Sequence, residues 1–285
     1  MICCMLRRFE FVRHTWFLVL AVGLAIFTAM DATFVITLNL RLLPAVILLG
    51  ASLVPVTFVV YVYQRVQARD VPVATVAVVA FLGGALGLLV AGLLEYATLR
   101  ELGILRLLGV GVIEESAKLI FPLAVYFRGR YRSEADGLLF GVASGMCFSA
   151  IESMGYGLTS FLNNNGSIGT LEETLLVRAL LSPVGHAAWT GLVCAVIWRE
   201  RQRVGHMTLN WAVVAAFLAA VLLHVSWDAL GSLTNRLSIT WVGFEFAGLA
   251  VVGAASLALL IWRMRKVELR HPSHFSGSPQ NVNQN

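Results

Sequence analysis

The stretch Gly109-Val110-Gly111-Val112-Ile113-Glu114-Glu115-Ser116-Ala117-Lys118-Leu119-Ile120-Phe121 puts two adjacent carboxylates and a lysine inside an otherwise apolar helical run. An ionised side chain at bilayer depth costs roughly 2.5–3.5 kcal/mol on insertion scales, so three together need a compensating arrangement. Such groups face a bundle interior, pair with partners and mark a site or a pathway. Two questions follow: whether the rest of the chain spans a membrane, and which residues meet these three.

The composition answers the first. Of 285 residues, 58% are hydrophobic and 13% charged, and the mean hydropathy is +0.80. A soluble domain carries about 25% charged residues. The expected fold class is therefore all-α, a polytopic membrane protein of about eight transmembrane helices. Runs near the ~20 residues needed to cross a bilayer core fall at Trp16–Thr37, Pro44–Tyr63, Val73–Glu95, Leu107–Phe127, Gly137–Phe161, Leu175–Trp198, Leu209–Gly231 and Ile239–Trp262. The fourth is the least hydrophobic, because it carries the glutamates. Residues 1–106 then form an N-terminal unit of three helices, 107–262 a core of five, and 263–285 a cytoplasmic tail. The tail is rich in Ser, Pro, Asn and Gln from His271 onward and reads as disordered. Gly83, Gly84 and Gly87 suit a close helix–helix approach.

Charge sets the expected topology. With the N-terminus inside and the spans alternating, inner segments hold Arg7, Arg8, Arg13, Arg65, Arg69, Arg128, Arg130, Arg132, Arg199, Arg201, Arg203, Arg263, Arg265, Lys266 and Arg270. That is 15 of the 21 Lys and Arg. Arg41, Arg100, Arg106, Arg178 and Arg236 fall outside. The positive-inside rule thus places both termini in the cytoplasm. The formal charge of +5 is spread along span ends rather than over one face, which indicates a lipid bilayer and no nucleic-acid partner. The first apolar run continues to about Leu38 without a small-residue cleavage site, so it reads as a retained span rather than a signal peptide. Cys3, Cys4, Cys147 and Cys194 show no zinc-ligand spacing. Cys147 and Cys194 read as small packing residues.

Later spans offer partners for the glutamates: Glu152 in Phe148-Ser149-Ala150-Ile151-Glu152, His186, and the pair His224 and Asp228, which share a helix face at i and i+4. At 1.5 Å per residue, Glu114, Glu152 and His224 fall roughly 10–14 Å below the outer ends of their helices. His186 falls at about 16 Å and Asp228 at about 5 Å. Alternate helices run in opposite directions, so this agreement in depth points to one wet pocket in the outer half of the membrane. Each residue also has a plainer reading. A lone intramembrane His is often an interhelical hydrogen-bond donor, worth about 0.6 kcal/mol. Glu114 and Lys118 have the i,i+4 order of a neutralising ion pair. Trp189 and Trp227 read as packing aromatics.

The chemistry follows from what the chain lacks and what it keeps. It has no Gly-x-Ser-x-Gly turn and no His-Glu-x-x-His motif, so neither a serine nucleophile nor the common zinc-protease helix is indicated. Carboxylates with histidines remain. A buried glutamate acts as a general base on water, and a histidine orients that water or donates to an oxyanion. The same donors, with His186, His224 and Asp228 as the ligand set, could instead bind Zn²⁺ and activate its water. Both routes lead to amide hydrolysis.

Glu114-Glu115-x-x-Lys118, Phe148-x-x-x-Glu152, His186 and His224-x-x-x-Asp228 resemble, in order, the motif series of the PrsW intramembrane proteases. The approach Asp136-Gly137-x-x-x-Gly141 belongs to the same pattern, which runs from about Gly109 to Gly231. That family lies within the group that includes CAAX prenyl endopeptidases and Abi-type proteins. The resemblance implies a multi-pass endopeptidase of a bacterial plasma membrane that cleaves membrane-anchored proteins. In the family's namesake role the substrate is an anti-sigma factor, cut at site 1. It implies Glu114 and Glu115 as the catalytic pair and His224 as the essential histidine, with Glu152, His186 and Asp228 completing the pocket. One position departs: Ser153 follows Glu152 where Asn is common. The rival class is a non-enzymatic membrane protein, either a proton-coupled carrier or an inactive relative that binds a membrane partner. The absence of a repeat between the two halves of the chain favours the enzyme.

Overall fold

A computed structural model describes residues 14–66, 68, 70–98, 105–233 and 242–270. Cys3, Cys4, the N-terminal arginines, the expected start of the last span at Ile239 and the tail from residue 271 lie outside the described residues. The helices are α1 (Thr15–Thr37), α2 (Leu43–Arg65), α3 (Val73–Thr98), α4 (Leu105–Arg128), α5 (Glu134–Asn163), α6 (Ile168–Leu181), α7 (Ala188–Val204), α8 (Trp211–Leu233) and α9 (Val242–Arg270). A five-residue π-helical turn, Pro183–Ala187, joins α6 to α7. The two helices and the turn form one 37-residue rod, so the expected sixth span begins seven residues early, at Ile168. Among the described residues, seven rods are long and apolar enough to cross a membrane. The eighth, α4, has the length at 24 residues, but Glu114, Glu115 and Lys118 interrupt its apolar run. The protein is an all-α polytopic membrane protein.

Helix α5 is the axis. Every residue from Glu134 to Met146 is buried, because α2, α3, α4, α6, α7 and α9 pack around it. A row of glycines makes this crowding feasible. A Cβ on Gly141 would stand 2.5 Å from the Thr190 carbonyl oxygen, and one on Gly137 2.7 Å from Trp198. A Cβ on Gly145 would collide with the carbonyl of His186. These positions recur every four residues on one face, the small-residue spacing that lets membrane helices approach backbone to backbone. On the opposite side, a Cβ on Gly84 of α3 would come within 2.6 Å of the Phe148 amide nitrogen. Gly83, Gly84 and Gly87 are packing positions, as their sequence spacing suggests.

Helix ends and breaks are specified locally. At the start of α5, the Ser133 side chain accepts from the Asp136 amide while Asp136 accepts from that of Ser133, a reciprocal capping box. Asn165 (φ 54°) and Gly166 (φ 77°) turn the chain toward α6 in left-handed conformations that suit these residues. Within α4, Pro122 carries no N–H and leaves the Lys118 carbonyl without its helical donor. The Ser144 hydroxyl of α5 donates to that carbonyl at 2.7 Å. After α6, Ala187 N–H reaches back to the Ser182 carbonyl at 3.4 Å, the i+5 bond of a π-turn. Such turns recur at functional sites.

The α5–α7 contact yields a test. Gly145→Val forces a branched side chain into the His186 backbone, and overpacking costs about 1–3 kcal/mol. The thermal midpoint of detergent-purified protein is expected to fall. Gly92→Ala, whose Cβ meets nothing within 4 Å, leaves it unchanged or raises it.

Candidate functional site

Three groups on one turn of α4 face inward together. Lys118 Nζ donates to Glu115 Oε1 at 2.8 Å and to Glu114 Oε2 at 3.1 Å. The i,i+3 and i,i+4 spacings put all three on one side of the helix. Lys118 is fully buried and Glu115 is 1% exposed. The ammonium also sits 4.4 Å above the Phe148 ring, a cation–π contact that is strongest when desolvated.

His224 of α8 meets this turn from the far side. Its Nδ1 lies 2.9 Å from Glu115 Oε1, and its Nε2 lies 3.6 Å from Glu114 Oε2 and 3.4 Å from Asp228 Oδ2. Thr190 of α7 donates to Glu115 Oε2 over a long 3.4 Å. Trp189 stacks on His224 with centroids 4.7 Å apart and planes 22° from parallel. The indole N–H of Trp189 is tied to Ser256 of α9 at 3.0 Å. The ring of His224 is therefore held by a hydrogen bond at Nδ1 and by stacking on one face, with Glu114 and Asp228 close to Nε2.

The second cluster is centred on Glu152 of α5. Arg178 of α6 donates to Glu152 Oε2 at 2.6 Å and to Ser153 Oγ at 3.0 Å, and its guanidinium lies 3.9 Å over the Tyr156 ring. His186, carried by the π-turn, turns Nε2 to the same Glu152 oxygen at 3.3 Å. The two clusters join through the histidines, whose ring centroids are 5.6 Å apart. All six residues singled out in the sequence, Glu114, Glu115, Glu152, His186, His224 and Asp228, thus lie in one connected site.

The two glutamates of α4 differ in setting. Glu115 has Lys118, His224 and Thr190 around it and is closed off. Glu114 pairs with Lys118 alone at hydrogen-bond distance, and its side chain is 11% exposed. The side chain of Asp228 is 30% exposed, so Glu114 and Asp228 flank the accessible side. Glu152 reaches the paired histidine rings through His186, and Asp228 reaches them through His224.

Several members were not evident in the sequence. Arg178 stood among the few outer cations. An arginine in the first turn of a predicted span, set against the inside-positive trend, was the available signal. Ser153, the departure from the family pattern, accepts from that arginine. Glu95, in the last turn of α3, lies within electrostatic reach of Glu114, Glu152, Arg106 and His224. A lone carboxylate at a span end was too common a feature to flag it.

A buried carboxylate–histidine site inside a bundle of membrane-spanning helices defines a polytopic membrane protein with an intramembrane polar centre. The model for the PrsW family intramembrane metalloproteases matches residues 72–261, two-thirds of the chain, and the chain belongs to that family. It is an intramembrane protease. No curated protein and no solved structure matches it. The family's description includes a metal, yet the residues as arranged do not fit one. Among the described residues no three His, Cys, Asp or Glu side chains are grouped to hold an ion. The position between Glu114 and Glu115 belongs to the Lys118 ammonium.

The ion-pair geometry predicts a stability effect. Removing one partner of a buried pair costs about 3–5 kcal/mol, so Lys118→Met is expected to lower the thermal midpoint strongly. Arg178→Met, whose side chain is 26% exposed, is expected to lower it less. Equal midpoints for the two variants would contradict this ranking.

Proposed function

We propose that the protein is an endopeptidase that hydrolyses peptide bonds of membrane-anchored proteins, with water activated by Glu114. The observation that carries this reading is the difference between the two glutamates: Glu115 is enclosed by three partners, while Glu114 keeps an accessible side next to His224. Glu115 is then the anchor that fixes Lys118 and His224, and Glu114 is the base.

Glu114 takes a proton from water as the oxygen adds to the scissile carbonyl carbon. The carbonyl oxygen becomes an oxyanion, which His224 stabilises from Nε2 while Glu115 holds the ring at Nδ1. His186, next to Glu152, which Arg178 binds in turn, supports the same region from beside His224. Collapse of the tetrahedral intermediate breaks the C–N bond. Glu114 returns its proton to the departing nitrogen, giving a carboxylic acid and an amine. Preorganised donors cost no rearrangement at the moment of reaction, and the contact of His224 Nδ1 with Glu115 together with the stacked Trp189 ring supplies that.

The site's depth and the arginine distribution support an outer-half location with both termini in the cytoplasm of a bacterial plasma membrane. An anti-sigma factor, the substrate of the family's namesake role, is the candidate partner. Loss of a general base costs about 10²–10⁴-fold in rate. Glu114→Gln is therefore expected to reduce cleavage of a membrane-anchored substrate by that much while keeping a near-normal thermal midpoint. Glu115→Gln is expected to lose both activity and stability. Full activity in Glu114→Gln overturns the assignment.

A further inference from the structure

The polar centre contains its own cation. In a catalytic zinc site, three protein ligands hold the ion, with carboxylate oxygens at about 2.0–2.2 Å. Among the described residues no three donors are grouped in this way; those that would have to close on an ion once the lysine is removed are Glu114 Oε2 and Glu115 Oε1, with His224 beside them. Lys118 Nζ stands 3.1 and 2.8 Å from those same two oxygens. Its spacing of four and three residues from the glutamates fixes this within one helical turn. The rest of the side chain is equally constrained. Its ammonium faces the fully buried Phe148 ring, and its carbonyl, released by Pro122, is bound by Ser144.

We propose that Lys118 is the resident cation of this site, a positioning residue that neutralises and spaces Glu114 and Glu115 where a bridging metal ion would otherwise sit. The inference rests on the protease reading of the same site and deepens it. An ammonium is a compact point charge with three donors and no acceptor. It can hold both carboxylates in register without binding water as a metal does, which leaves water activation to Glu114. Phe148 and Ser144 keep the lysine from swinging away, and His224 closes the far side of Glu115.

The test uses the detergent-purified full chain and Zn²⁺ alone as the probe. Wild type, Lys118→Ala, Lys118→Arg and the double variant Lys118→Ala/His224→Ala are dialysed against Zn²⁺. Bound metal is then counted by elemental analysis, and thermal midpoints are recorded with and without Zn²⁺. The wild type is expected to hold no stoichiometric zinc and to show no zinc-dependent midpoint. Lys118→Ala is expected to melt lower, to take up about one zinc per chain and to regain stability with the metal, because a ligand that binds the folded state raises its stability. The double variant should lose that uptake. Lys118→Arg should take up none and melt closer to wild type. Stoichiometric zinc in the wild type overturns the proposal, and that arm holds whatever the variants' folding. Zinc uptake by folded Lys118→Ala no greater than wild type overturns it as well. The protease reading fails on a separate assay, absence of cleavage of a membrane-anchored substrate by the wild type, and the assignment of Glu114 as base fails on cleavage that survives Glu114→Gln.

Discussion

The buried contact of Lys118 with Glu114 and Glu115 is the constraint on which the rest of this bundle depends. Burying an isolated carboxylate or ammonium costs several kcal/mol even after relaxation. Two carboxylates and one ammonium on a single turn still leave a net negative charge, so α4 needs further partners. His224 from α8 and Thr190 from α7 supply them. That requirement draws α7 and α8 against α4 and brings the two histidines within one ring spacing of each other. In a membrane, where lipid offers no hydrophobic drive between helices, polar closure of this kind specifies which helices meet.

Close packing then delivers the parts with little tolerance. The glycine face of α5 sets α7 at backbone distance, and the last of those glycines, Gly145, abuts His186 itself. The π-turn ahead of α7 presents that histidine to Glu152, and Arg178, one turn before the break, holds the carboxylate from the other side. Pro122 loosens one carbonyl of α4 and Ser144 binds it, so the lysine is secured by its backbone as well as its side chain. Fold and candidate chemistry share these contacts.

Much of this was legible in the sequence. Hydrophobic run lengths gave eight rods, and helical rise placed Glu114, Glu152 and His224 at matching depth before any contact was known. Gly83, Gly84 and Gly87 were readable as approach points because glycine in an apolar helix has few other uses. The i,i+4 order of Glu114 and Lys118 foretold their pairing. Other features were hidden for identifiable reasons. Arg178 reaches Glu152 across 26 positions of chain, and neither period nor depth reports such a pairing. The π-turn depends on one extra residue in a helical ladder, which leaves the apolar pattern almost unchanged. Trp189 looked like a packing aromatic, and only its stacking on His224 and its bond to Ser256 connect it to the site. Helical periodicity fixes the face a residue occupies, but the neighbour on that face is set by tertiary packing.

The central claim is that Glu115 and His224, 109 positions apart in the chain, are energetically coupled across the α4–α8 contact. A double-mutant cycle with Glu115→Ala, His224→Ala and the double variant measures this directly, using SDS titration of the protein in mixed micelles. Residues sharing a buried polar network couple by about 0.5–3 kcal/mol, and the predicted result is a coupling within that range. Stability losses that add to within about 0.3–0.5 kcal/mol would mean that the two side chains do not meet in the folded protein, and would contradict the account.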